Sequence, residues 1–443
     1  MGAVFDLVIG GTFRLLWWLV SHPLTLVCLA APGLLVIAHP AAGAIPVLLL
    51  LVLLGWRLLR RPSFDRWVGR RLRRRWRKVW RYEFRWRSVM TWNGLTLREG
   101  TRNHYPRLVA LRCTEHGDRL RLRMLLGQTP ETYEQAADAL AHAFGARTCQ
   151  VRRDSPGVIW LELQHTDTLV RTIPALPIPT TPDLGALPVG VLEDGRPWVV
   201  GLRGTHVLIA GVTGSGKGSV IWSLIRAAAP LVHVGVVQLW VIDPKGGMEL
   251  GLGRPLFTRF AADEFEEMAD LLDEAVAVMK HRARRLAGTT RLHEPTPDDP
   301  MVVLVIDEVA NLTAYLPDRK LRERISQALG VLLTQGRAVG VNVIAALQDP
   351  RKEILGFRNL FPTRIALRLD EPQQVDMVLG DGARDRGAQC HLIPDTQPGV
   401  AYVRLDGHAE PFRTRASYST DEDIRGLARD YPVQAPIPER RAA

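Results

Sequence analysis

The chain contains Gly211-Val212-Thr213-Gly214-Ser215-Gly216-Lys217 directly after an apolar segment at residues 206–210. This loop fits the pattern G-x-x-x-x-G-K, in which glycines allow successive backbone N–H groups to curl around phosphate oxygens. The residues after it predict a helix at 219–229, and the positive end of a helix dipole also favours phosphate. A strand, such a loop and a helix in this order predict a nucleotide-binding domain of the α/β class.

The loop, called the P-loop below, departs from the usual pattern at one position. A Ser or Thr normally follows the lysine, because its hydroxyl binds Mg²⁺. Here Gly218 follows, and Ser219 comes next. Either Ser219 takes that role through a local shift, or Mg²⁺ is held by water and acidic residues alone. Lys217 is expected to reach the β- and γ-phosphates of ATP. The residues predicted to contact the nucleotide are Gly211, Val212, Thr213, Gly214, Ser215, Gly216, Lys217, Gly218 and Ser219.

A second apolar strand ends in two acidic residues. Residues 302–306 are aliphatic and are followed by Asp307 and Glu308. Two acids at a strand end are common in ordinary loops, but downstream of a P-loop they predict a Walker B arrangement. We expect Asp307 to hold Mg²⁺ directly or through water, and Glu308 to polarise the water that attacks the γ-phosphate.

Three further polar residues lie near predicted strand ends. Gln348 follows the apolar segment 341–347 and is a candidate sensor of the γ-phosphate. Arg337 and Arg364 are candidates for an arginine finger that reaches the nucleotide of a neighbouring subunit. For each arginine, an ordinary role in packing or at the surface is an equal alternative.

Residues 188–430 alternate apolar strands with amphipathic helices, which predicts a parallel sheet covered by helices. The predicted strands are 206–210, 236–242, 301–306, 341–347 and 364–369. The other two predicted helices are 264–286 and 319–335, in which apolar residues recur at helical spacing.

The residues before this region predict smaller parts. Residues 93–172 predict a small α+β domain with no catalytic constellation. Its predicted elements are strands at 108–111, 120–126, 148–152 and 158–163, and one helix at 131–144. A proline-rich, extended linker is predicted at 173–187, and residues 431–443 form a short tail.

The N-terminal residues 1–60 predict a transmembrane hairpin. Apolar segments at 15–38 and 41–54 each approach the roughly 20 residues that a helix needs to cross a bilayer. A signal peptide is the alternative, but a second span and a basic block follow. The positive-inside rule then predicts a multi-pass protein of the cytoplasmic membrane whose remaining domains lie in the cytoplasm.

The basic segment 61–92 continues a block of positive charge. Residues 57–87 hold 14 Lys or Arg against two acids, so this block accounts for the whole net charge of +11. Tryptophans are interleaved with the arginines at positions 67, 76, 80 and 86. A helix on anionic lipid is favoured by its place beside a membrane span, and a DNA-binding surface is the alternative.

At these motifs the chain resembles the FtsK/SpoIIIE family of DNA-pumping ATPases. Five segments carry the likeness: the P-loop with Ala210 before it, Val241-Ile242-Asp243-Pro244-Lys245, residues 304–308, residues 336–340 leading to 345–350, and residues 361–366. Residues 129–163 also look like the smaller domain that precedes the family's motor. The resemblance implies a RecA-like P-loop core, a hexameric ring with double-stranded DNA through its centre, and nucleotide sites shared between subunits.

The resemblance leads us to expect a membrane-anchored, ATP-driven translocase of double-stranded DNA. A two-span hairpin and the lack of room for a winged-helix domain after residue 430 favour plasmid transfer over chromosome segregation. A protein-secretion ATPase of type VII shares the core and is the main alternative. A membrane scaffold that does not hydrolyse ATP is a third hypothesis, which the intact Lys217, Asp307 and Glu308 disfavour.

Overall fold

The structure is a computed structural model that describes residues 52, 55–64, 75–76, 78–114, 117–351, 356–408 and 410–434. Both predicted membrane spans fall almost wholly outside these residues. Within the described residues, no helix is both long and apolar enough to span a bilayer. Two compact units are present, and the second consists of residues 114–117 and those from Gln164 onward.

The first unit contains most of the α+β domain predicted at 93–172, but it also includes a helix before residue 93 and ends at Leu163. A four-residue helix, Arg61–Phe64, and a π-helical turn, Lys78–Glu83, precede its regular elements. Its helices are α1 (Phe84–Trp92), α2 (Pro130–Gln135) and α3 (Ala137–Phe144). Its strands are β1 (Leu97–Glu99), β2 (Arg102–His104), β3 (Arg107–Cys113), β4 (Gly117–Arg123), β5 (Thr148–Ser155) and β6 (Val158–Gln164), with β3-β4-β6-β5 in one sheet. Helix is found over the range predicted at 131–144, but it is divided into α2 and α3 at Ala136, where φ is −90° and ψ is 0°.

Part of the basic segment belongs to the core of this unit. Trp86 is buried, its ring stacks on Phe144 at 6.0 Å, and its Nε1–H donates to the carbonyl of Pro106 at 2.8 Å. A lipid-facing or DNA-facing role is therefore wrong for Trp86. Trp76 and Trp80 remain exposed, with their rings stacked 5.1 Å apart.

The second unit is built on a mixed sheet. Its strands are β7 (Ile173–Pro174), β8 (Leu187–Leu192), β9 (Pro197–Val200), β10 (Val207–Ala210), β11 (Val237–Ile242), β12 (Arg259–Ala261), β13 (Met301–Ile306), β14 (Val341–Leu347), β15 (Thr363–Ala366), β16 (Val400–Arg404) and β17 (Phe412–Tyr418). They follow the order β12-β11-β13-β14-β10-β15-β16-β17-β8-β9, with β7 beside β17. The residue ranges predicted for β13 and β14 are confirmed.

The prediction of a wholly parallel sheet is wrong for its second half. The strands from β12 to β15 are parallel, whereas β16, β17, β8 and β9 each pair antiparallel with their neighbours. For β8–β9 and β16–β17 the reason is the short turn that joins each pair, since a parallel crossover needs a dozen or more residues. The first residues of the predicted linker also join this sheet as β7.

Helices cover both faces of the parallel half. They are α4 (Lys217–His233), α5 (Phe265–Leu286), α6 (Val309–Thr313), α7 (Arg319–Gln335), α8 (Pro372–Leu379) and α9 (Asp421–Asp430). One core packs α4 and α9 against residues such as Val303, and the other packs α5 and α7 against residues such as Leu304. Because both faces are buried, β13 and β14 are apolar along their whole length.

This topology brings the predicted motifs to one edge of the sheet. The strands β10, β11, β13 and β14 are parallel neighbours, so their carboxyl ends lie side by side. The residues that follow them are Gly211, Asp243, Asp307 and Gln348. Ligands of open α/β sheets bind at this edge, which makes it the candidate site.

Candidate nucleotide site

The P-loop is held in shape by two glycines with left-handed backbone. Gly214 has φ +73° and Gly216 has φ +97°, values that residues with a Cβ rarely adopt. A Cβ on Gly216 would lie 2.3 Å from the backbone nitrogen of Gly399. That N–H of Gly399 donates to the carbonyl of Ser215 at 2.8 Å, so the loop is fixed against the start of β16.

Lys217 begins helix α4 and curls back over the loop. Its Nζ donates to the carbonyl of Gly211 at 2.7 Å and to that of Val212 at 3.4 Å. Burial lowers the pKa of Lys217 below its usual range, and the nearby Glu308 carboxylate opposes this effect. The ammonium group therefore lies inside the loop, where the phosphates of a nucleotide are expected.

Asp307 forms an ion pair that the sequence analysis did not predict. The side chain is buried at the end of β13, and its Oδ2 accepts a hydrogen bond from Lys245 Nζ at 2.8 Å. Burial disfavours the charged form of Lys245, but the carboxylates around it, chiefly that of Asp307, together raise the pKa of Lys245. Lys245 lies three residues beyond β11, the strand that pairs with β13, so correct strand pairing would have placed the two residues together.

Glu308 has one oxygen held and one oxygen available. Its Oε1 accepts a hydrogen bond from the backbone N–H of Gln348 at 3.3 Å. Its buried Oε2 has no hydrogen-bond partner among the described residues. Burial raises the pKa of Glu308, while Lys217 opposes the rise. A fixed carboxylate with one free oxygen can orient a water molecule and accept its proton.

Gln348 connects the P-loop to Glu308. Its side-chain Oε1 accepts a hydrogen bond from Thr213 Oγ1 at 3.1 Å, while its backbone contacts Glu308. The structure thus brings Gln348 to the P-loop, as the γ-phosphate sensor hypothesis requires.

An open cavity runs along the loop and the start of α4. Gly218 and Ser219 line it together with Lys217, Asp307 and Gln348. Within the described part of the chain, no group of three or more His, Cys, Asp or Glu residues is arranged to hold a metal ion. Glu249, which the sequence analysis did not single out, also lines this cavity.

The two candidate arginine fingers do not reach the P-loop of their own subunit. Arg337 lies in a 3-10 turn before β14, and Arg364 lies near the start of β15. Both arginines line one pocket together with Arg404. This pocket lies where β14 and β15 begin, and therefore at the sheet edge opposite the P-loop, which follows the end of β10. The structure does not bring either arginine to Glu308.

The fold and the site together define a P-loop ATPase. A family model described as the FtsK/SpoIIIE family matches residues 178–399, which is half of the chain. The chain belongs to the FtsK/SpoIIIE family, as the motifs predicted, and it is an ATPase. A second model, the N-terminal domain of actinomycete conjugal transfer proteins, matches residues 67–165.

Individual relatives agree with this assignment. The chain is 29% identical to the transfer protein TraSA of Streptomyces ambofaciens over 81% of this chain and 92% of that one. It is 26% identical to the DNA translocase FtsK of Halalkalibacterium halodurans, over 66% of this chain but only 38% of that protein. The structure of the pCW3 conjugation coupling protein TcpA, a monomer form with ATPγS, matches with 20% identity, a TM-score of 0.51 and coverage of 78% of this chain and 98% of that one. That likeness supports the fold.

Proposed function

We propose that this protein is an ATP-driven translocase of double-stranded DNA that acts in plasmid transfer. The observation that carries the proposal is the likeness to a transfer protein over nearly that protein's full length, combined with a site in which Gln348 joins the P-loop to Glu308. The likeness to a chromosomal translocase covers a much smaller share of that relative, so plasmid transfer is favoured over chromosome segregation.

In the proposed reaction, the backbone of the P-loop and Lys217 bind the phosphates of ATP. The Asp307 carboxylate already pairs with the positive ammonium group of Lys245. Carboxylate oxygens are also ligands that suit Mg²⁺, so Asp307 could hold the metal ion of the nucleotide. Bound Mg²⁺ would neutralise charge on the phosphate oxygens. Glu308 orients the attacking water with its free Oε2, and Gln348 reports the state of the γ-phosphate to the loop through Thr213.

A ring of subunits, which we propose to be a hexamer, would complete the site. Arg337 and Arg364 lie at the sheet edge opposite the P-loop. In a head-to-tail ring, one face of each subunit meets a different face of its neighbour. An arginine at the far edge can then act on the neighbour's nucleotide, as arginine fingers supplied in trans do.

We also propose that the chain is anchored in the cytoplasmic membrane by the two apolar segments at 15–38 and 41–54. The basic segment would bind anionic lipid, and the ATPase motor of the chain would lie in the cytoplasm. The exposed Trp76–Trp80 stack supports a contact with the headgroup layer, because indole rings favour that region.

The function is tested by measuring ATP hydrolysis of the full-length protein in detergent with duplex DNA of increasing length. Hydrolysis should rise with duplex length until the ring's footprint is filled, irrespective of sequence. Outside residues 57–87 the chain has a net charge of −1, so a few basic residues at specific positions must contact the DNA phosphates. Because these contacts are ionic, the affinity for duplex DNA should fall steeply as salt is added.

Lys217→Ala is the matched control, because it should remove hydrolysis at every DNA length. If duplex DNA fails to stimulate the wild-type protein at low salt while a secreted helical protein does, the translocase proposal is wrong. The type VII secretion hypothesis would then replace it.

A further inference from the structure

The first turn of α4 lacks the hydroxyl that usually contacts Mg²⁺ at a P-loop. Gly218 occupies the position of the usual Ser or Thr. Outside its chain neighbours and the backbone of its own helix, an ideal Cβ built on Gly218 would meet one heavy atom of the described residues within 4 Å, Oε2 of Glu249 at 3.8 Å. A carboxylate oxygen therefore lies beside the space that the missing side chain would occupy.

The fold places Glu249 there through its main chain. The N–H groups of Glu249 and Leu250 both donate to Oδ2 of Asp243, at 3.1 and 3.0 Å. Asp243 is fully buried directly after β11, and its Oδ1 accepts the N–H of Lys245. The segment that carries Glu249 is thus tied to the same sheet edge as the P-loop and Asp307.

Glu249 also interacts electrostatically with both lysines of the site. Its negative charge attracts the ammonium groups of Lys217 and Lys245. The carboxylate lines the same cavity as these lysines and Asp307. Its charge is therefore directed at the region that phosphates and their metal ion would occupy.

We propose that Glu249 supplies the nucleotide-bound Mg²⁺ with the oxygen that a Ser or Thr at position 218 would otherwise provide. This inference rests on the proposed hydrolysis of ATP with Mg²⁺. Mg²⁺ binds oxygen ligands and is usually held by one or two carboxylates together with substrate phosphates. Asp307 directly follows β13 and Glu249 lies in the segment that follows its neighbour β11, so the two residues supply such a pair.

The proposal differs from the local-shift alternative, in which Ser219 takes the role of the missing hydroxyl. Ser219 lines the cavity, but Glu249 is the residue whose atom lies against position 218. The two alternatives predict opposite results for substitutions at Ser219 and Glu249.

The test measures binding of a fluorescent ADP analogue to the full-length protein in EDTA, in Mg²⁺ and in Mn²⁺. The readout is the metal enhancement, which is the ratio of the dissociation constant in EDTA to that in metal. Electron paramagnetic resonance of Mn²⁺ measures the metal's own affinity for the ADP complex. Glu267→Gln, at an exposed position of α5, is the matched control and should behave as wild type.

Glu249→Gln should reduce the metal enhancement roughly tenfold or more, the size of effect seen when metal-site partners are removed. Affinity in EDTA should stay the same or increase slightly, because a negative charge near the phosphates is lost. Gly218→Ser in the Glu249→Gln protein should restore most of the enhancement, since the nearest atom leaves room for the added hydroxyl. Ser219→Ala should leave the metal enhancement at the wild-type value, whatever its effect on nucleotide affinity.

Equal losses of affinity in EDTA and in metal would overturn the proposal, because they would mark Glu249 as a structural residue. An unchanged enhancement in Glu249→Gln, or its loss in Ser219→Ala, would also overturn it. If the wild type shows no metal enhancement, the proposed use of Mg²⁺ fails as well. Failure of DNA to stimulate hydrolysis, by contrast, would leave this metal assignment intact.

Discussion

Gly216 and Gly218 lie two residues apart, yet the structure predicts opposite effects when each is changed to alanine. At Gly216, φ is +97° and a Cβ would lie 2.3 Å from the backbone nitrogen of Gly399. At Gly218, inside the first turn of α4, the nearest atom to a new Cβ would be 3.8 Å away. The first substitution must displace backbone, whereas the second fills open space.

The free-energy difference between the two variants should be large. For Gly216→Ala, the backbone strain costs roughly 1–3 kcal/mol. Losing the hydrogen bond between Ser215 and Gly399 costs about 1 kcal/mol more. Gly218→Ala should instead stabilise the protein by about 0.5–1 kcal/mol, because alanine restricts the unfolded chain and favours helix. At roughly 2–4 °C per kcal/mol, Gly216→Ala should lower the melting temperature by about 10 °C and Gly218→Ala should raise it slightly.

Differential scanning calorimetry of the full-length proteins, without nucleotide, measures both shifts. The transition of the second unit is the relevant one, and that of the first unit is an internal control. ADP binding to Gly216→Ala should also be lost, since the displaced loop no longer presents its N–H groups to phosphates. Equal shifts of the same sign in the two variants would refute the reasoning from the Gly216–Gly399 contact.

Four further predictions follow from the described contacts. Glu308→Gln should bind ATP but hydrolyse it about 10²–10⁴ times more slowly. A steady-state hydrolysis assay and a separate binding measurement would show this. Wild-type turnover in Glu308→Gln would exclude Glu308 as the base. Arg337→Ala should bind ATP but hydrolyse it poorly. Rings that mix Arg337→Ala and Lys217→Ala subunits should regain activity in a hydrolysis assay. If such mixed rings assemble but regain no activity, Arg337 is not a finger that acts in trans. Burial lowers the pKa of His206 to about 4, so the unfolded state binds more protons below pH 6.5. Urea unfolding should therefore show about 3 kcal/mol of stability lost between pH 6.5 and pH 4 relative to His206→Asn, and parallel pH profiles would contradict this. Arg415 is buried and donates to three backbone carbonyls. Arg415→Ala should therefore destabilise the second unit by about 3 kcal/mol in the same urea assay. A loss of stability below about 1 kcal/mol would contradict this prediction.

Local sequence patterns were sufficient for much of the motor. The bounds of β13 and β14 were predicted from their apolar runs, because strands buried on both faces carry no polar residue. The P-loop and the acids Asp307 and Glu308 were also predicted, since each is a short motif attached to one strand. The family followed from the order of these motifs along the chain.

Contacts between distant residues were determined only by the tertiary structure. Lys245 pairs with Asp307 across 62 residues, and Thr213 with Gln348 across 135. Periodicity and propensity report on neighbours within a few residues, so they could not reveal the antiparallel half of the sheet or the burial of Trp86.

The composition of the site shows the same division. The sequence by itself determined that ATP is bound, that a strand ends in two acids, and that the usual Mg²⁺ hydroxyl is missing at Gly218. Only the folded chain determined that Glu249 lies beside that gap and that Arg337 lies at the opposite edge. The physical reason is that a motif's chemistry depends on residues adjacent in sequence, whereas a site depends on which strands the sheet makes neighbours.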